Sequence, residues 1–93
     1  MDCNSYSYAP TMLDDDTILK EFSNDDMYMT LEKDRHYNHY IYYVNANSYG
    51  TGLEVAEVYN SQETAEKLYN FIFENYTTTP PGEELQDFIN TLK

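Results

Sequence analysis

The sequence predicts an α+β fold: one domain built on a three-stranded antiparallel sheet with helices on one face, in the order αβββαα. Three observations carry this reading. Apolar and polar residues alternate from Met27 to Glu32, and residues 38–46 (NHYIYYVNA) are dense in Tyr, Ile and Val. Helical spacing then takes over, with Ala65, Leu68, Tyr69, Ile72 and Tyr76 in one stripe and Leu85, Phe88, Ile89 and Leu92 in another.

Taken in order, residues 1–12 form a polar, tyrosine-bearing leader that is expected to be flexible, and residues 13–93 form the domain. A first helix is predicted over residues 14–23. Asp14 is its N-cap, Asp15 and Asp16 suit the positive end of the dipole, and Ile18, Leu19 and Phe22 share a face. Met27, Met29 and Leu31 then mark the first strand, which the turn at residues 34–37 (DRHY) ends. The Tyr-rich run is the central strand, and residues 45–52 (NANSYGTG) have the Asn, Ser and Gly content of an exposed hairpin loop. Residues 53–59 (LEVAEVY) make the third strand, where faltering alternation predicts a bulge near Ala56 or Glu57. The Ser61-to-Glu63 segment opens the long helix, expected over residues 61–76. Pro80 and Pro81 break the chain, and a short acidic-nosed helix follows.

Charge narrows the function. Seventeen Asp and Glu oppose five Lys and Arg, a formal charge of −12 on 93 residues. Such a chain repels nucleic acid and anionic membranes and is attracted to clefts that hold phosphates. Its expected partner is a basic protein. A chain of this length buries a thin core and leaves little room for an enclosed active site, while 16% aromatic content is too high for a disordered acidic tail. The lone Cys3 has no internal disulfide partner, no apolar run reaches the roughly 20 residues of a membrane helix, and residues 1–10 lack the order of a signal peptide. The expected location is the cytoplasm.

Each candidate chemistry has a plainer competitor. Aspartates 14 to 16 diverge by about 100° per residue on a helix, so they read as an acidic helix start rather than a metal cluster. His36 and His39 have a His-x-x-His spacing with no second pair to complete a site, and read as histidines flanking a turn. A Cys3 nucleophile with either histidine lacks a Gly-rich elbow to build an oxyanion hole. No cofactor, metal or catalytic residue is expected. The eleven tyrosines include core residues among Tyr37, Tyr40, Tyr42, Tyr43 and Tyr59, and interface anchors where a sheet face or edge stays open. Carboxylates are dense at Asp25, Asp26, Glu54, Glu57, Glu63, Glu66, Glu74, Glu83, Glu84 and Asp87, while Lys33 and Arg35 cluster at the opposite hairpin tip. The molecule is expected to be polarised, with spaced carboxylates imitating a phosphate ladder.

From Asp15 to Leu92 the chain resembles the small acidic phage anti-CRISPR proteins that inhibit type II-A Cas9-type nucleases. The matching features are TILKEF before a strand, YIYYVN before a Gly-containing loop, ETAEKLYNFIF as the long helix, and the late Glu83-Glu84 pair. The resemblance implies an inhibitor that occupies the PAM-reading site of a guide-loaded nuclease in a bacterial host cell. It carries Asp26, the loop from Asn47 to Gly50, and Glu83 with Glu84 into the contact surface. Ser48 and Tyr49 stand where that family has an Asp beside Gly, and Pro80, Pro81 and Gly82 interrupt the acidic run.

The sequence therefore points to a non-enzymatic DNA mimic that binds through Asp25, Asp26, Asn47, Tyr49, Glu54, Glu57, Glu83, Glu84 and Asp87, as a monomer or dimer. The alternatives are an immunity or antitoxin protein that neutralises a basic nuclease, and an acidic regulatory module.

Overall fold

The computed structural model describes residues 17–93. The leader, Cys3 and aspartates 14 to 16 lie outside the described residues. The element order is β1 (Thr17–Ser23), β2 (Met27–His36), β3 (His39–Ser48), β4 (Glu54–Tyr59), α1 (Gln62–Asn75) and α2 (Glu83–Thr91). The strands form one antiparallel meander in the order β1-β2-β3-β4. The fold is α+β and a single domain, with four strands instead of three.

The fourth strand is the segment expected to start as a helix. Thr17 to Ser23 pairs with β2 from Lys33 to Tyr28, and the register slips between Ile18 and Lys20. That slip inserts Leu19 as an extra residue, so Leu19 and Phe22 fall three apart while both lean on the core. A bulged strand thus imitates helical spacing. What decides the matter is β2: without β1 its outer edge would leave a long row of backbone donors and acceptors unpaired.

Other boundaries move less. β2 continues through Asp34 and Arg35 to His36, and the turn is only Tyr37 and Asn38, with Tyr37 at φ 62°. The strand β3 extends to Ser48, which shortens the next loop to residues 49–53. No bulge interrupts β4, whose register runs unbroken from Tyr42↔Tyr59 to Asn47↔Glu54. The faltering alternation there has a different origin. Glu57 faces the helix layer and is neutralised by Lys93, 3.3 Å away.

Antiparallel pairing fixes which residues share a face, since partners across a ladder point the same way. Met29, Ala46 and Val55 lie in one row, and Leu31 and Val44 in the next; all five are buried beneath the helices. The α1 stripe of Ala65, Leu68, Tyr69 and Ile72 packs onto them, after Ser61 caps the helix by accepting from the Thr64 N–H. Phe73 meets Phe22 edge-on at 5.1 Å, which ties α1 to β1. The second helix returns along α1, with the Phe71 and Phe88 rings stacked at 4.1 Å. The thin dimension of the molecule, 15 Å between Cα extremes, has room for one sheet and one helix layer. Among the described residues no helix covers the other sheet face. Among the described residues no helix is long and apolar enough to cross a membrane.

Leu68 is fully buried between helix and sheet, so Leu68→Ala should cost about 3 kcal/mol, read as a lower urea midpoint with an unchanged slope. Alkaline pH should act through three buried tyrosines. Burial raises the phenol pKa of Tyr59, Tyr69 and Tyr76 above 10.0, with smaller contributions from Glu57, Glu21 and Glu84 respectively. Because the folded state holds these protons more tightly, the stability they add is complete below the unfolded pKa and is lost as pH rises through the folded values. Urea midpoints should fall above about pH 10, and Tyr76→Phe should flatten that fall.

Candidate functional site

Two loops meet at the end of the sheet where β1 turns into β2 and β3 into β4. In the first, the Asn24 side-chain oxygen accepts the backbone N–H groups of Asp26 at 2.9 Å and Met27 at 2.8 Å. The Asn24 N–H donates to the Met27 carbonyl at 2.9 Å. This Asx-type turn forces Asp25 and Asp26 outward, where both are exposed. In the second loop, the Ser48 N–H donates to the Leu53 carbonyl and the Gly52 N–H to the Ser48 carbonyl. Gly52 sits at φ +77° with open space around its α-carbon, so the need for glycine there is conformational and not steric.

One bond joins the loops: the Tyr49 N–H donates to the Asp26 carbonyl at 2.9 Å. The result is a concavity of about 750 Å³ lined by both loops and the adjoining strand ends. Asp25, Asp26 and Glu54 surround it, with Asn47 and Tyr49 beside them and Met27, Tyr28 and Leu53 giving it apolar area. No Lys or Arg lines it. Three carboxylates over an apolar floor suit a guanidinium or ammonium head whose stem needs covering.

The opposite pole differs. The ten residues of β2 span about 33 Å, ending at the hairpin that carries Lys33, Arg35, His36 and His39. Lys33 Nζ lies 4.1 Å from the Tyr40 ring centroid, and the His36 and His39 rings lie across the turn from each other, tilted by 49° with centroids 5.8 Å apart. The histidines flank a tight turn, as their spacing predicts. Among the described residues no group of three or more His, Cys, Asp or Glu is arranged to hold a metal.

Of the nine residues expected to bind a partner, Asp25, Asp26, Asn47, Tyr49 and Glu54 converge on the concavity. The other four do not. Glu57 is half-buried in its pair with Lys93, and Glu84 accepts a hydrogen bond from the buried Tyr76 hydroxyl at 3.0 Å. Glu83 and Asp87 are exposed on α2, in the helix layer. The sequence reading missed Asn24, Tyr28 and Leu53 as parts of the site. A signal existed for Asn24, because Asn followed by two aspartates ahead of a strand is an Asx-turn pattern. Another existed for Tyr28, an alternate position on a half-buried strand.

Replacing Asn24 by Ala deletes the acceptor for two backbone N–H groups and should cost about 1–2 kcal/mol, with amide exchange accelerating at Asp26 and Tyr49 before the core. No family model matches this chain, and neither curated proteins nor solved structures give a match.

Proposed function

We propose that this chain is a binding protein that acts without catalysis, placing its acidic end in a basic cleft that another protein uses to hold nucleic acid. The candidate partner is a Cas9-type nuclease loaded with guide RNA, the target that the sequence resemblance names. One observation carries the reading: Asp25 and Asp26 from one loop and Glu54 from the start of β4 surround a single concavity with no Lys or Arg in its lining. An acidic chain evolved only for solubility has no reason to gather carboxylates around an apolar floor, where they repel one another.

The mechanism follows from the charge distribution. A net charge of −12 accelerates encounter with a positively lined cleft, and the dipole between acidic end and basic tip orients the approach. Once docked, Asp25 and Asp26 accept charge-assisted hydrogen bonds from Arg or Lys while Tyr49, 97% exposed on its loop, supplies contact area. Support from the resemblance is narrower than the sequence implied. The TILKEF segment is a strand here, so the shared element order begins at β2.

The test is a titration of guide-loaded type II-A nuclease with this protein. Affinity should fall steeply between about 50 and 200 mM salt, and duplex DNA should compete. The double substitution Asp25→Lys with Asp26→Lys should weaken binding by about 3 kcal/mol or more, roughly a hundredfold. Salt-independent binding, or full retention of affinity in the double variant, removes the proposal. Binding to a basic toxic nuclease instead would select the immunity-protein alternative.

A further inference from the structure

The open face of the sheet carries apolar side chains that the fold does not use. Register places Ile18, Glu32, Tyr43 and Val58 in one row across all four strands, with Ser23, Tyr28, Asn47 and Glu54 in another nearer the acidic end. Between them runs a row of Glu21, Thr30, Asn45 and Ala56, mostly short side chains, with Thr30 buried among its neighbours. Ile18, Tyr28 and Val58 are 51%, 47% and 55% exposed, whereas Met27 and Met29 beside Tyr28 and Tyr59 beside Val58 are buried on the helix side. Strand propensity alone accounts for a β-branched residue on an exposed face. It does not account for the confinement of the cations to one side.

All five Lys and Arg belong to the other side of the molecule. Lys20 reaches Asn70 and Tyr69 on α1, Lys33 covers Tyr40, and Arg35 shares that side by register. Lys67 is on α1, and Lys93, just past α2, pairs with Glu57 of the helix-facing row. The open face holds Glu21, Glu32, Asp34 and Glu54 and no Lys or Arg. Thr30 donates to Glu32 at 2.9 Å and fixes one of these carboxylates in place.

We infer that this face is a docking surface for a basic amphipathic helix of the partner, an inference that rests on the partner being basic. Apolar residues of such a helix lie along Ile18, Tyr43 and Val58, and its Lys or Arg flanks meet the surrounding carboxylates. A helix laid along that row crosses the four strands over about 14 Å, so about ten of its residues meet the face. A second copy is the wrong occupant, since stacking two such faces opposes like charges. Nucleic acid is excluded by the same sign.

The probe is a synthetic Leu/Lys amphipathic helix of about 18 residues, long enough to cross all four strands with about a turn beyond each edge, compared with an isomer of equal composition whose leucines are scattered around the helix. The amphipathic peptide should bind at least tenfold more tightly and shift the amide resonances of Tyr28, Tyr43 and Val58. Ile18→Ser with Val58→Ser removes apolar surface without changing charge and should abolish that preference, with far-UV circular dichroism confirming the fold. Equal binding of the two peptides, shifts confined to residues 24–26 and 49–53, or an unchanged preference in the folded double variant overturns the inference. None of those results alters nuclease binding through Asp25 and Asp26, whose failure is read separately in the nuclease titration.

Discussion

Everything in this molecule depends on a sheet that is buried on one side only. Met27, Met29 and Leu31 alternate with Tyr28, Thr30 and Glu32, and a strand cannot turn one of these residues without turning them all. When α1 covers the methionine side, the polar side is turned away from the helices across all four strands, with Thr30 buried among its neighbours at the centre. Burial of Leu31, Val44, Leu68 and Ile72 therefore determines where the charges go as surely as it determines the fold. The consequence is a plate whose helical side mixes all five cations with carboxylates and whose open side carries carboxylates without Lys or Arg.

The acidic end follows from loop chemistry laid over that plate. Residues 24–26 and 49–53 are both hairpin connections, and adjacent hairpins in a meander bring alternate turns to the same end. Asn24 and Gly52 supply the conformations the two turns require, and the Tyr49-to-Asp26 backbone bond holds them together. Carboxylates far apart in sequence, Asp25 and Glu54, thereby become neighbours around one concavity. Their mutual repulsion is a cost that a basic partner relieves, which is the physical content of the proposed function.

The helix layer shows the other fate of an acidic residue. Glu57 and Glu84 looked equivalent to Glu54 in sequence, yet one is held by Lys93 and the other by the Tyr76 hydroxyl. Both serve packing of the helices against the sheet and against each other. Carboxylate density in the sequence therefore overstates the contact surface. What separates the two classes is whether a residue lies on the covered side or the open side of the ladder, a distinction that alternation gives within a strand and that Glu57, in a strand with weak alternation, conceals.

The local patterns alone determined the three later strands, both helices, the covered core stripe and the polarity between acidic end and basic tip, because period and turn residues are properties of short segments. Tertiary structure alone decided the state of residues 17–23. Their Thr, Ile, Leu and Phe satisfy a helix face or a bulged strand equally, and only the unpaired edge of β2 breaks the tie. It also decided which carboxylates stand together, since a charge has no address until pairing across strands sets its row. Local chemistry specifies elements, and long-range hydrogen bonding specifies neighbours.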